Sequence, residues 1–226
     1  MPAFILNSEF AMTLHILGPG YSSLVRSVRL YCLEKGLQAS FGMHLGGTPV
    51  ALRSPEHLRL QPLGQVPVLL HGEQVVFETA VICRYLDQAF PETSLTPVDA
   101  RAALEVAQWA SAVSSTVDAR VIRRYLLRIA GPKGGSAITP EELAQAQAEV
   151  EFTLAAVAHQ LGEKPFLCGE AFTLADALLA PMLDYLERTP GAGWLARHEP
   201  LGAYLQRLKA RPSGQQVLVA PDFTAP

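Results

Sequence analysis

The segment GQVPVLLHGEQVVFETAVICRYL, Gly64–Leu86, decides how the first third of this chain folds. Two apolar runs flank His71-Gly72-Glu73. A short polar connection containing glycine between two β-prone runs reads as a hairpin. Glu78-Thr79 then opens a helical pattern, with Thr79 as a fair N-cap and Val81, Ile82, Tyr85 and Leu86 on one side. The pattern ends near Pro91, since proline cannot continue a helix. A hairpin followed by a helix closes a sheet, and the residues upstream supply the strands it needs.

TLHIL, Thr13–Leu17, is short, apolar and bounded by Gly18-Pro19, so it reads as a strand. From Ser22 onward Leu24, Val28, Tyr31 and Cys32 share one helical face, and Gly36 stops that helix. ASFGMHL, Ala39–Leu45, reads as a second strand. Ser54-Pro55-Glu56 combines an N-cap, a proline at the first helical position and a first-turn acid, the signature of a short helix or turn. The order β-α-β, short helix, β-β, α defines a compact α/β domain around one sheet. Beyond PETSLTPVD no strand pattern recurs. Residues 98–130 are alanine-rich and helical, with Leu104, Trp109, Val113 and Val117, and GPKGGSAITP is a Gly/Pro-rich break. Thr139-Pro140-Glu141-Glu142 restarts a helix by capping. FTLADALLAPMLDYLER and EPLGAYLQRLKARP are further helices. The expected organisation is an extension at residues 1–11, an α/β domain at 12–90, a linker at 91–97 and an all-α domain at 98–226.

Composition excludes several function classes. The 226 residues are 49% hydrophobic and 17% charged, an ordinary globular balance. A net charge of -3 leaves no basic footprint for nucleic acid. No apolar run approaches the roughly 18 residues of a membrane span, and MPAFILNSEFA has neither the basic nor the apolar region of a signal peptide. The 3 cysteines, Cys32, Cys83 and Cys168, are widely spaced, and the 6 histidines form no ligand-like pattern. No metal site is expected, and free thiols fit a reducing cytoplasm.

Four motifs carry chemistry. Ser22 and Ser23 stand at the mouth of a helix, where a hydroxyl either caps or meets a negatively charged ligand atom. Val66-Pro67 opens a strand. A cis bond there would turn the Val66 N–H and C=O toward an extended peptide, although X–Pro bonds are cis in only about 5–6% of cases. Glu78-Thr79 marks a helix start, which is a cap or a carboxylate site. Thr173-Leu174-Ala175-Asp176 is a capping box before an apolar run, with Phe172 placed for a staple, and its role is folding.

Taken together these residues resemble a glutathione transferase, most closely the plant-type phi class among the serine classes. GPGYSSLVRSVRLYCLEKG is similar to the family's first strand, catalytic loop and first helix. SPEHLRLQPLGQVPVLLHGEQVVFETAVICRYL is similar to its glutathione-binding segment, and GEAFTLADALLAP to its C-terminal folding box. The resemblance implies a thioredoxin-like N-terminal domain with a mixed four-stranded sheet, an all-helical C-terminal domain, a homodimer and a cis Val66-Pro67 bond. It implies that Val66 pairs its backbone with the cysteinyl unit of glutathione, that Gln65, Pro67, Glu78 and Thr79 complete the site, with Glu78 and Thr79 on the γ-glutamyl end, and that Arg53 contacts the glycyl carboxylate. Thr79 stands where the family usually has serine, and Leu52 where the phi pattern has histidine.

Within that resemblance Ser22 matches the catalytic serine, and its implied task is to donate O–H to the glutathione sulfur. A free thiol titrates near ~8.5, and the thiolate is the nucleophile. A drop of about two pH units needs roughly 2.7 kcal/mol, within reach of one charge-assisted hydrogen bond of about 1.5–3 kcal/mol and a helix-end contribution of about 0.3–1 kcal/mol. Ser23, the nearest rival, reads as a cap. Tyr21 is a second candidate donor and fits better as a wall of the electrophile pocket, with Val117, Arg120 and Arg124 as further liners. The resemblance implies a second substrate that is a small, mostly apolar electrophile. Two alternatives stay open: a non-catalytic family member that binds ligands or proteins, and a specialised peroxidase, isomerase, dehalogenase or lyase.

Overall fold

The computed structural model describes residues 13–130, 135–189 and 193–223. The expected extension at 1–11, Met12 and the first four residues of GPKGGSAITP lie outside them. Two units result, one running to Ser94 and joined by the stretch from Ala220, the other Leu95–Val219. The final stretch thus groups with the first unit, whereas the sequence reading gives it to the helical one.

The first unit begins with β1 (Leu14–Leu17), α1 (Ser23–Glu34), β2 (Ala39–Gly42), β3 (His44–Leu45), β4 (Thr48–Pro49) and α2 (Pro55–Leu60). β5 (Val68–His71), β6 (Gln74–Phe77) and α3 (Thr79–Ala89) follow, then a 3-10 turn at Pro91–Thr93. The sheet order is β2-β1-β5-β6. β1 runs parallel to β2 and antiparallel to β5, which pairs antiparallel with β6. β1 is central and buried at every position. Leu17 lies opposite Val68, and Val68 opposite Phe77. That register brings the end of β1, the start of β5 and the end of β6 to the same end of the sheet.

The stretch 39–45 is not one strand. It breaks after Gly42, whose φ of 140° suits glycine and where an added Cβ would sit 2.8 Å from the His44 ring. His44–Leu45 instead pairs with Thr48–Pro49.

Just past the end of α1 and its C-cap Lys35 stands Gly36, φ 72°. The Gly36 N–H donates to the Leu33 carbonyl at 3.0 Å and the Leu37 N–H to the Cys32 carbonyl at 2.9 Å, the paired bonds of a Schellman motif. α1 and α3 pack against each other and on the sheet. Val81, expected on the packed side of α3, is exposed, and the buried side is Ile82, Cys83, Leu86 and Asp87. A buried clasp holds the far ends of the two helices. Lys35 Nζ reaches Asp87 Oδ1 at 2.8 Å and the carbonyls of Phe90 and Thr93 at 3.0 and 2.8 Å, while the Tyr31 hydroxyl donates to Asp87 Oδ2 at 2.8 Å. A buried ion pair is tolerated when further hydrogen bonds satisfy its members in this way. Burial pushes the neighbouring Cys32 thiol up to about 12 and the Cys83 thiol well above its ordinary value.

The second unit comprises α4 (Ala100–Ala112), a π-helical stretch (Val113–Leu126), α5 (Leu127–Ala130), α6 (Pro140–Leu161), α7 (Leu174–Glu187), α8 (Trp194–Arg197), α9 (Glu199–Ala210) and α10 (Pro212–Val217). α7 is buried from Ala175 to Asp184 and touches α4, the π-helical stretch, α8 and α9. A helix apolar on nearly all sides belongs at a core centre. Its start is fixed by Asp176, which is fully buried. Asp176 Oδ1 accepts from the Leu167 N–H at 2.8 Å and the Tyr204 hydroxyl at 2.7 Å. Oδ2 accepts from the Thr173 N–H and hydroxyl at 2.8 and 2.9 Å. Burial raises this carboxyl above its ordinary value, and the four donors pull it back. Phe172 packs edge-on to Phe166. In α6 the Thr139–Glu142 capping box is formed. Among the described residues no helix is long and apolar enough to cross a membrane, and no cluster of His, Cys, Asp or Glu is placed to hold a metal ion.

Candidate functional site

Three chain segments meet where β1 ends, β5 begins and β6 ends. The first is the turn Gly18–Ser22. Gly18 is there for contact: an added Cβ would lie 2.4 Å from the Val25 side chain and 3.2 Å from Val66 Cβ. Only a residue without Cβ lets this turn press against Val66. Ser22 follows with extended backbone as the N-cap of α1, and its Oγ accepts from the Val25 N–H at 3.4 Å. A hydroxyl that accepts retains its own hydrogen for donation. The two readings of Ser22 are therefore compatible: the cap orients the oxygen, and the proton stays available. Ser23, read as the cap, is instead inside the first turn, buried, with its carbonyl accepting from the Ser27 hydroxyl at 3.0 Å.

The second segment is Gln65-Val66-Pro67. The Val66-Pro67 bond is cis, Gln65 is exposed and Val66 half-buried. Both backbone groups of Gln65 are held by buried side chains of α2 and its end. Its N–H donates to Gln61 Oε1 at 3.2 Å, and its carbonyl lies 3.0 Å from His57 Nε2. Gln61 Oε1 also accepts from the Leu63 N–H at 2.6 Å.

The third is Glu78-Thr79. Glu78, not Thr79, occupies the N-cap position of α3, makes no side-chain capping bond and has φ 68°. Thr79 is the first helical residue and is 5% exposed. A glutamate at positive φ is uncommon outside sites that hold it there, and backbone strain of this kind concentrates where ligands bind. Neither α1 nor α3 has an acidic residue in its first turn; α3 carries Glu78 at its N-cap position, whereas α1 begins with the neutral Ser22, so the positive end of α1 has no acid beside it in its own cap or first turn.

Arg53 approaches from the loop before α2. It also has positive φ, 63°. Its N–H donates to His57 Nδ1 at 2.9 Å, and its side chain crosses Gly64, where an added Cβ would meet Arg53 Cγ at 2.8 Å. Leu52 beside it is 55% exposed and offers no donor. The ring of Tyr21 stacks at a tilt against Phe223, centroids 5.5 Å apart.

The other expected pocket liners lie in the second unit, on the π-helical stretch. Val117 is buried. Arg120 donates to Thr153 Oγ1 at 3.3 Å, and Arg124 pairs with Glu149 at 3.0 Å, holding that carboxylate below its ordinary range. Both guanidiniums are thus engaged by α6. His57 and Gln61 escape a sequence reading. Neither belongs to a ligand-like pattern, and the signal they do carry is position: polar residues on the inner side of a short helix that leads into Gln65.

The chain matches the family profile described as "Glutathione S-transferase, N-terminal domain" over residues 20–94 and that described as "Glutathione S-transferase, C-terminal domain" over residues 140–207. Glutathione S-transferase 3 of Zea mays is 30% identical over 198 residues, covering 85% of this chain and 87% of that protein. A probable glutathione S-transferase of Oryza sativa subsp. japonica is 27% identical, covering 92% and 97%. Among solved structures, glutathione S-transferase III in its apo form superposes with a TM-score of 0.77 at 28% identity, covering 93% of this chain and 99% of that one. The chain is a two-unit protein with a thioredoxin-like sheet and a helical partner. It belongs to the glutathione S-transferase family.

Proposed function

We propose that the protein is a glutathione transferase that holds glutathione across the end of its sheet and activates the thiol for attack on small, mostly apolar electrophiles. The observation that carries this reading is Ser22: a hydroxyl fixed by the Val25 N–H at the positive end of α1, on a turn pressed against Val66. Val66 main-chain groups pair with the cysteinyl unit. Glu78, Thr79 and the start of α3 take the γ-glutamyl end, whose amine suits Glu78 and whose carboxylate suits a helix N-terminus. Arg53 takes the glycyl carboxylate, and the neighbouring Leu52 side chain adds no hydrogen bond to it.

In the reaction Ser22 remains protonated. Its O–H donates to the sulfur and favours the thiolate, the helix end adds to this, and the thiol proton leaves to solvent. The thiolate attacks the electrophile, forming the S–C bond as the leaving group departs or the acceptor bond takes up the electrons. Tyr21 walls the electrophile side. With no cysteine in the Gly18–Ser22 turn, chemistry through an enzyme-bound mixed disulfide has no nucleophile there. Our reading extends to a cytoplasmic homodimer, which sedimentation would check. Incubation with glutathione and panels of aryl halides, enones, hydroperoxides and disulfides tests the function. Glutathione conjugates from the first two panels are expected; failure of glutathione to bind at all refutes the reading.

A further inference from the structure

We infer that His57 is the positioning residue of the glutathione site, a neutral imidazole that fixes the two segments gripping the tripeptide's cysteinyl and glycyl parts. The inference rests on the reading of the site given above. His57 is completely buried on α2 and touches no ligand-facing space of its own. Its two ring nitrogens bond to two different binding segments. Nδ1 faces the Arg53 N–H at 2.9 Å, and a backbone N–H can only donate, so Nδ1 carries the lone pair. Nε2 lies 3.0 Å from the Gln65 carbonyl, which can only accept, so Nε2 carries the proton. One tautomer alone satisfies both neighbours.

Each bond restrains something that would otherwise be loose. The Arg53 bond holds a non-glycine residue at φ 63°, a conformation that persists only when its surroundings over-determine it. The Gln65 bond, with Gln61 Oε1 on the Gln65 N–H, locks the residue immediately before Val66. The imidazole therefore sets the spacing between Arg53, on the glycyl side, and the Val66 main chain, on the cysteinyl side. Binding then needs less ordering of the loop between them, and a preorganised site binds more tightly without any added contact.

Two variants separate the two arms. His57→Gln places an amide N–H near the former Nε2 and keeps the Gln65 arm while losing the acceptor for Arg53. His57→Asn places an oxygen near the former Nδ1 and keeps the Arg53 arm while losing the donor to Gln65. With an aryl halide as electrophile, each variant is expected to raise KM for glutathione about tenfold, the factor carried by about 1.4 kcal/mol, with kcat at saturation changed less than about twofold. With γ-glutamylcysteine, which lacks the glycyl carboxylate, the His57→Gln penalty should vanish and the His57→Asn penalty should persist. An unchanged KM in both folded variants, or a loss confined to kcat, overturns the inference. Should the variants not fold, nitrogen NMR of the wild-type imidazole decides: a proton on Nδ1 overturns it. Wild-type protein that neither binds nor turns over glutathione would instead refute the functional reading.

Discussion

On the proposed mechanism the one Ser22 hydroxyl serves both folding and catalysis, so replacing it with alanine has two costs of different size. On the folding side, Oγ accepts from the Val25 N–H at 3.4 Å, a long bond, so its loss belongs at the low end of capping penalties, about 0.5–1 kcal/mol. In a chain of this size that lowers Tm by a few degrees at most. On the chemical side, a bound thiol brought from ~8.5 to about 6.5 is roughly three quarters ionised at pH 7. Without the hydroxyl only the helix end remains, worth about 0.3–1 kcal/mol, which leaves roughly 5–15% thiolate. The expected fall in kcat/KM at pH 7 is therefore about 5–15-fold, since the thiolate is the reacting species. The deficit should shrink as pH rises and nearly disappear by about pH 9, because both thiols are then mostly ionised. Ultraviolet titration of bound glutathione measures the ionisation directly, the pH profile of kcat/KM with an aryl halide measures its consequence, and Ser22→Thr, which keeps the hydroxyl, should stay close to wild type. A bound thiol that titrates at the same pH in wild type and Ser22→Ala would refute the argument, whatever the loss of rate.

Glu78→Gly should move stability and binding in opposite directions. Glycine accepts the φ of 68° at no steric cost, so Tm should hold or rise, while loss of the carboxylate should raise KM for glutathione several-fold. Asp176→Asn should cost about 2–6 kcal/mol by denaturant unfolding, since an amide offers one acceptor where four donors converge, and two of them must face its NH₂ group. The Cys32 thiol, pushed up to about 12 by burial, sets an alkaline limit. Its folded value lies above its unfolded one near 9, so its share of stability is complete below pH 9 and is lost as pH climbs toward 12, at about 1.4 kcal/mol per pH unit. Cys32→Ala should be less stable at neutral pH through the cavity it leaves, yet flatten that alkaline decline in urea titrations.

Much of this was legible in the residues, and the places where it was not have physical causes. The hairpin, the Thr139 and Thr173 boxes and the Gly36 stop are written in local chemistry and read directly. The break at Gly42 was hidden, because one glycine inside an apolar run tells nothing of its dihedral angle. The shift of the α3 cap from Thr79 to Glu78 was hidden for the same reason, since Glu78 adopts a φ that its type disfavours. Val113–Leu126 reads as ordinary helix, yet buried Val113 is followed by buried pairs at 117/118, 121/122 and 125/126, a four-residue repeat that matches wider turns in a stretch packed on α6 and α7. His57 was least visible of all, because its role depends on which two backbone groups tertiary structure sets on either side of its ring.

The left-handed backbones of Arg53 and Glu78 carry a consequence for how such a protein drifts over evolutionary time. In the proposed groove the main chain of Val66 and the start of α3 work beside the side chains, so the contour of a short peptide is recognised as well as its charges. Most surface positions around it can be rewritten freely, whereas an ordinary β-branched replacement at 53 or 78 would bend the contour itself. Inheritance of the trait then lies in torsion angles, and distant sequences can keep it while sharing few letters.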